Sequence, residues 1–215
     1  WIAERLTEAG LPDGVFNVLQ GDKLAVDELL TNPLVKAVSF VGSTPIAKYV
    51  YQTGTAAGKR VQALGGAKNH MLVLPDADLD LVADSAINAG FGSAGERCMA
   101  ISVVVAVEPI ADDLISKISE RMAGLVVGDG RLACDMGPLI TREHRDKVAS
   151  YIELAQTDGA EVVVDGRSVK PEGDSNGFWL GPTLIDNVPT SSKIYRDEIF
   201  GPVLSVVRVN SFSEG

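Results

Sequence analysis

The sequence is poor in cysteine, in excess basic charge and in long apolar runs, and each shortage excludes a class of protein. Only two cysteines, Cys98 and Cys134, occur among 215 residues, with no CxxC pair and no Cys/His cluster. We therefore predict neither a disulfide framework nor a metal site, and expect a reducing compartment. The formal net charge of −10 disfavours nucleic acid and anionic membranes as partners, because both attract basic faces. The longest apolar runs, such as residues 99–107, have the length of a strand and cannot span a bilayer.

Helix-like and strand-like patterns alternate through the first third of the chain. Apolar residues at helical spacing and β-branched runs of strand length follow one another, with glycine or proline between them. This alternation predicts a parallel α/β sheet, in which ligands bind at the carboxyl ends of strands. The predicted segments are a helix over 1–9, a strand over 15–19, a helix over 23–30, a strand over 35–41, a helix through Tyr49 and Tyr51, and a strand over 60–64.

Two glycines, Gly65 and Gly66, follow the last of these strands and predict a hinge or a domain crossing. Beyond the hinge, the α/β alternation continues. We predict strands over 70–74, 101–107, 161–164, 178–188 and 202–209, helices over 79–90, 110–122 and 142–157, and a polar, glycine-rich excursion over 166–177. The acidic residues Asp76, Asp78 and Asp80 read as a turn and helix cap rather than a metal loop.

Gly42, Ser43, Thr44 and Pro45 stand at the carboxyl end of a predicted strand. Gly42 permits close backbone approach, Ser43 or Thr44 can cap the next helix, and Pro45 suits its first turn. A helix start of this kind can hold a pyrophosphate. The same residues are also a common way to begin any helix, so both interpretations stay open.

Cys98 lies just after a small-residue loop, residues 92–95, and just before a predicted buried strand. Small residues let the backbone approach a ligand, and Arg97 beside Cys98 favours the reactive thiolate. We interpret Cys98 as a nucleophile on a turn. A buried structural cysteine is the alternative, because free cysteines are often buried.

Several motifs occur in a fixed order along the whole chain: FVGST at 40–44, LGG at 64–66, GERC at 95–98, GPLI at 137–140 and EIFGPV at 198–203. Together they resemble the aldehyde dehydrogenase superfamily. Residues 67–70 and 95–102 are most similar to the methylmalonate-semialdehyde dehydrogenases, which acylate coenzyme A. The resemblance implies an α/β fold made of the end of a Rossmann-type domain and an α/β catalytic domain.

The resemblance also implies a role for each matching residue. Cys98 corresponds to the nucleophile that attacks the aldehyde carbon and becomes a thioester after hydride transfer to NAD. The backbone N–H of Cys98 corresponds to one oxyanion donor. The cofactor-binding positions correspond to Gly42, Ser43, Leu64, Gly65, Glu198 and Phe200, with Glu198 on the ribose and Phe200 on the nicotinamide.

Two departures from the family pattern qualify this expectation. Hydrolytic members carry a glutamate base before Leu-Gly-Gly, and this sequence has Ala63 there. A thiol needs less activation than water, so the difference favours coenzyme A as the acyl acceptor. The chain also begins at Trp1, and we expect a fragment that lacks an oxyanion-hole asparagine, a cofactor lysine and the C-terminal segment, and that is inactive alone.

The resemblance thus leads to an NAD-dependent oxidation of methylmalonate or malonate semialdehyde, with coenzyme A as co-substrate. Residues 1–66 would belong to the NAD-binding domain and residues 67–215 to the catalytic domain. A homo-oligomeric parent, dimer or tetramer, is expected in the bacterial cytoplasm or the mitochondrial matrix. Two alternatives stay open: a hydrolytic aldehyde dehydrogenase with another base, and an inactive structural or interaction module.

Four other polar residues have less defined roles. Arg97 can pair with Glu96 or another acid, or it can bind a substrate carboxylate, and both interpretations stay open. His70 and His144 have no Ser or Asp partner in their sequence context, so we predict structural or surface positions. Cys134 matches no family site.

Overall fold

Parallel strands form two separate sheets, one in each of two units of the chain. The computed structural model describes residues 1–173 and 176–215. The units are Trp1–Gly66 and Ala67–Gly215. The predicted α/β fold with parallel sheets is confirmed.

The first unit is built on two parallel strands. Its elements are α1 (Ile2–Glu8), α2 (Lys23–Thr31), β1 (Ala37–Val41), α3 (Thr44–Ala56) and β2 (Arg60–Leu64). Strands β1 and β2 run in register from Ala37 opposite Arg60 to Val41 opposite Leu64. Helix α3 buries Ala47 and Val50, so its apolar face is the side turned inward. Because β1 and β2 are parallel and paired up to Val41 and Leu64, their carboxyl ends lie side by side.

The predicted strand over 15–19 is wrong, because this segment has no strand structure. A strand needs a ladder of backbone hydrogen bonds with a neighbour, and no described residue pairs with this segment. The amide of Val15 instead donates to Pro12 within a turn, over 3.3 Å. Val15, Val18 and Leu19 are exposed.

The second unit contains a five-stranded sheet of order β3-β4-β7-β6-β5. Its elements are β3 (Asn69–Val73), α4 (Leu79–Phe91), β4 (Ile101–Val107), α5 (Ala111–Ala123), α6 (Arg142–Thr157), β5 (Glu161–Val164), β6 (Thr183–Asp186), α7 (Lys193–Arg196) and β7 (Val203–Val209). All neighbours are parallel except the edge strand β5, which runs antiparallel to β6. The central strands β4 and β7 are almost wholly buried, which explains their β-branched composition.

Strand β6 is shorter than the predicted 178–188. Pro182 lies immediately before it and has no N–H to donate to a ladder, so pairing begins at Thr183. Phe178 makes only an isolated bridge with Leu139. Of the predicted polar excursion over 166–177, residues 174 and 175 lie outside the described residues. Over the parts that the structure describes, every helix is too short or too polar to cross a bilayer.

Candidate active site

Cys98 follows a short turn in an uncommon backbone conformation. After α4 ends at Phe91, the residues Ser93, Ala94 and Gly95 adopt φ values of 52°, 54° and 70°. Left-handed backbone is uncommon for residues other than glycine, and it persists only where surrounding structure enforces it. The turn delivers Cys98 to an exposed position, with a free thiol. The buried alternative for this cysteine is therefore wrong.

Gly95 is the point where the Cys98 loop packs against a second loop, residues 198–201. A Cβ at Gly95 would collide with the carbonyl oxygen of Gly201, and would lie 3.0 Å from the oxygen of Gly90. Only glycine permits this approach together with a positive φ. The two loops are thus in direct backbone contact, which explains the glycine three residues before the cysteine.

Asn69 holds the Cys98 loop from the sheet side. Its Nδ2 donates to the carbonyl oxygens of Cys98, over 3.0 Å, and Ala100, over 2.9 Å. The register of β3 against β4 shifts between Asn69 and His70, so the side chain supplies hydrogen bonds where the ladder is interrupted. This role of Asn69 was not predicted from the sequence. An asparagine in a strand, where this residue is depleted, was the available signal.

Arg97 lies exposed over the small-residue turn. Its Nε donates to Ser93 Oγ over 3.1 Å, and a Cβ at Gly92 would lie 2.7 Å from its Nη1. Among the described residues, no carboxylate forms an ion pair with Arg97. The predicted pairing with Glu96 is therefore wrong, which leaves the guanidinium available to an acidic ligand.

Glu96 turns the other way, toward the start of α6. Its Oε1 lies 3.7 Å from Nε2 of His144, and burial raises the pKa of the carboxyl above its usual range while His144 and the backbone at Ile140 oppose the rise. Arg97 and Glu96 therefore extend to different surroundings from one loop.

A cleft joins the Cys98 loop to the loop that carries Glu198 and Phe200. The lining residues are Ala67, Asn69, Gly95, Arg97, Cys98, Ala100, Ser102, Glu198, Ile199, Phe200, Gly201 and Val203. Phe200 has a positive φ of 58° and is partly exposed. The structure thus brings together four of the predicted site residues: Arg97, Cys98, Glu198 and Phe200.

Lys68 anchors the segment just before Glu198. Its Nζ donates to the carbonyl oxygens of Ile194, over 2.7 Å, and Asp197, over 2.8 Å. Burial lowers the pKa of this lysine to about 8, against the opposing charges of Asp197 and Glu198. The carboxylate of Asp197 accepts a hydrogen bond of 2.8 Å from the Tyr151 hydroxyl. This role of Lys68 was not predicted from the sequence.

The other predicted cofactor positions lie together in the first unit, at the carboxyl ends of β1 and β2. The amide of Gly42 donates to the carbonyl of Leu64 over 3.1 Å, and Thr44 Oγ1 accepts from the amide of Gly66 over 3.1 Å. Ser43 occupies the N-cap of α3, but its hydroxyl makes no capping hydrogen bond, so the predicted side-chain cap is wrong.

This arrangement fits a pyrophosphate. A helix N-terminus without a side-chain cap presents unsatisfied N–H donors, which favour an anion. A Cβ at Gly42 would lie 2.6 Å from the Phe40 ring, so a larger residue there would have to displace that ring. Gly65 likewise packs on Thr44, with a Cβ only 2.8 Å from Oγ1.

Cys134 lies in a different setting from Cys98. It is half-buried, and burial raises the pKa of its thiol, with further contributions from Glu172, Asp129 and Asp135. A thiol held in its protonated form is a poor nucleophile. Among the described residues, no three metal-ligating side chains cluster.

Comparison with known proteins matches residues 1–215 to the aldehyde dehydrogenase family. A malonate-semialdehyde dehydrogenase of Pseudomonas aeruginosa is 56% identical over 99% of this chain and 43% of its own length. The crystal structure of a methylmalonate-semialdehyde dehydrogenase from Oceanimonas doudoroffii matches with a TM-score of 0.96 and 56% identity, over 99% of this chain and 44% of that chain.

A more distant structure, betaine aldehyde dehydrogenase from Staphylococcus aureus in complex with NAD+, matches with a TM-score of 0.89 and 31% identity, over 99% of this chain and 43% of that chain. The chain therefore spans less than half the length of the relatives it matches.

Proposed function

Because the chain belongs to the aldehyde dehydrogenase family, we propose that the whole protein oxidises malonate or methylmalonate semialdehyde with NAD and transfers the acyl group to coenzyme A. The observation that carries the proposal is the exposed Cys98 thiol in a cleft shared with Arg97, Glu198 and Phe200. The names of the similar proteins support the substrate class.

Cys98 has the central chemical role in this proposal. Its thiolate adds to the aldehyde carbon, and loss of hydride from that carbon leaves a thioester on Sγ. The thiolate of coenzyme A then attacks the thioester carbon, and Cys98 departs as the thiolate. The developing oxyanion requires positioned N–H donors, of which the Cys98 amide is one.

NAD, when bound, supplies the hydride acceptor. We propose that Gly42, Ser43, Leu64 and Gly65 hold it in the first unit. The start of α3 there has no side-chain cap, which supports anion binding. In the second unit, Glu198 would accept hydrogen bonds from ribose hydroxyls, and Phe200 would contact the nicotinamide.

Arg97 is the proposed anchor for the carboxylate that distinguishes a semialdehyde from a simple aldehyde. Its guanidinium is exposed and has no carboxylate partner among the described residues. A planar guanidinium binds a carboxylate through two parallel hydrogen bonds. The residue next to the nucleophile therefore supplies specificity rather than chemistry.

Ala63 supports coenzyme A as the acyl acceptor. This residue lies in β2, opposite Phe40 of β1, at the position where hydrolytic family members carry their glutamate. With a methyl group there, water has no base at that position, whereas a thiol needs less activation. We also propose a homo-oligomer, dimer or tetramer, located in the cytoplasm of a bacterium or the matrix of a mitochondrion.

Product analysis of the full-length protein tests this function. Steady-state reactions at saturating coenzyme A are quenched, and acyl-CoA is quantified against free acid. Acyl-CoA should dominate, and Ala63→Glu should increase the free-acid share by up to about 10²-fold, with Ala63→Gln as the size-matched control. Dominant free acid from the unchanged enzyme would instead identify a hydrolytic dehydrogenase. The 215-residue chain alone should show no turnover.

A further inference from the structure

His144 contacts both loops of the candidate site. It lies in the first turn of α6, where its amide donates to Thr141 Oγ1 over 3.1 Å. Its Nε2 lies 2.6 Å from the carbonyl oxygen of Phe200 and 3.7 Å from Oε1 of Glu96. Glu96 belongs to the Cys98 loop, so one imidazole links the two loops to the same helix.

The chemistry of the partners fixes the role of the imidazole. A carbonyl oxygen can only accept, so Nε2 must carry the proton and donate to Phe200. The ring of His144 also meets the Phe200 ring edge to face, with 6.4 Å between centroids and 62° between planes. Both the backbone and the side chain of Phe200 are therefore held by His144.

Phe200 needs such a restraint. Its φ of 58° is uncommon for a bulky residue, and a strained backbone persists only when neighbouring contacts enforce it. Gly201 packs closely on Val148 of α6, where a Cβ would lie 2.6 Å from a methyl group. The 198–201 loop thus packs against the N-terminal part of α6.

We propose that His144 is a positioning residue that fixes the Phe200 loop and the Cys98 loop relative to each other. It acts through Phe200 and Glu96 and touches no reacting atom. The consequence for turnover rests on the proposed function, in which Phe200 contacts the nicotinamide and Cys98 carries the substrate. Misplacement of a positioning contact by about 1 Å can lower a rate about 10²-fold.

Three substitutions in the full-length protein test this role. His144→Phe keeps a ring of similar size but removes the donor, whereas His144→Gln places an amide N–H near the position of Nε2. Glu143→Gln changes the exposed neighbour on the same turn and serves as the control. We expect His144→Phe to raise the KM for NAD and lower kcat, together reducing kcat/KM about 10- to 100-fold. His144→Gln should recover most of the loss, and Glu143→Gln should match the unchanged protein.

Alkylation of Cys98 by iodoacetamide without NAD or substrate separates this inference from the proposed function. His144→Phe should change the alkylation rate at least about threefold, because a restrained loop sets thiol access and thiolate character. His144→Gln should not. Equal Cys98 alkylation rates in His144→Phe and the unchanged protein would overturn the positioning role, even if the enzyme proves active. Equal losses in both His144 variants, in step with a lower Tm, would also overturn it.

Discussion

The two cysteines of this chain lie in loops that differ in almost every physical property relevant to reactivity. Cys98 is exposed, follows three residues of left-handed backbone and has as its neighbour Arg97, which forms no ion pair among the described residues. Cys134 is half-buried near Asp129, Asp135 and Glu172, which add to the burial that raises the pKa of its thiol.

The contrast shows that the site is made by the surroundings of the cysteine. Hydrogen bonds from Asn69 fix the backbone on both sides of Met99, and Gly95 packs the loop against Gly201. Substitutions that remove these supports should make the two thiols more alike.

The largest expected effect is removal of each thiol in turn from the full-length protein. Cys98→Ala should reduce the rate of NAD reduction by a semialdehyde about 10⁶-fold, as loss of a covalent nucleophile does elsewhere. Cys134→Ala should leave the rate within about twofold, because its thiol has no role in the reaction. Substantial turnover by Cys98→Ala would remove the basis for the comparison.

The next largest effect concerns Asn69. Asn69→Asp places a carboxylate oxygen against the two carbonyl oxygens that Nδ2 now binds, and the two would repel. We expect the Cys98 loop to move and kcat/KM to fall about 10²-fold. Asn69→Ala loses two hydrogen bonds, each worth about 0.5–1.5 kcal/mol. The exposed Asn88 of α4 provides the control variant Asn88→Ala. Steady-state kinetics together with Tm would contradict this role if Asn69→Asp matched the control.

Arg97→Ala should produce a smaller and selective effect. Loss of a charge-assisted contact should raise the KM for malonate semialdehyde about 10- to 100-fold, corresponding to about 1.5–3 kcal/mol, while the KM for propanal stays nearly constant. Arg97→Lys should recover only part of the loss, because lysine lacks the planar fork. An equal rise for both aldehydes would identify Arg97 as a structural residue of the loop.

The smallest effect is expected from pH. Because the pKa of Cys134 is raised, its thiolate population at pH 7 is lower than for an ordinary cysteine and should grow only as the pH rises above the usual thiol range. Brief iodoacetamide treatment followed by peptide mass spectrometry should therefore label Cys98 first at pH 7, with Cys134 labelling increasing toward pH 10. Preferential Cys134 labelling at pH 7 would contradict the contrast.

Much of the fold was predictable because local patterns and tertiary packing agree there. Strand β4 and helix α4 follow directly from β-branched composition and an aspartate cap, and Asp78 does cap α4. The segment over 15–19 has the composition of a strand, but pairing decides strand formation and composition cannot supply a partner.

The reactive residue of the site was predictable from the sequence. The side chains that hold its loops in place were less so. The cysteine with its small-residue loop and neighbouring arginine could be identified from residue types at short spacing. The roles of Asn69, Lys68 and His144 depend on contacts with residues distant in sequence. Each makes hydrogen bonds to backbone carbonyls, which leave no trace in the identity of the accepting residue. The sequence therefore does not identify these partners, even at Asn69, whose residue type is unusual in a strand.

Trapping the acyl group tests the central claim, that Cys98 carries the reaction, most directly. The full-length protein is incubated with NAD and malonate semialdehyde without coenzyme A, quenched in acid, digested and analysed by mass spectrometry. We expect an acyl adduct on the peptide that contains Cys98, its disappearance when coenzyme A is added before the quench, and an unmodified Cys134 peptide. NAD reduction with no adduct on Cys98, or an adduct on Cys134 instead, would contradict it.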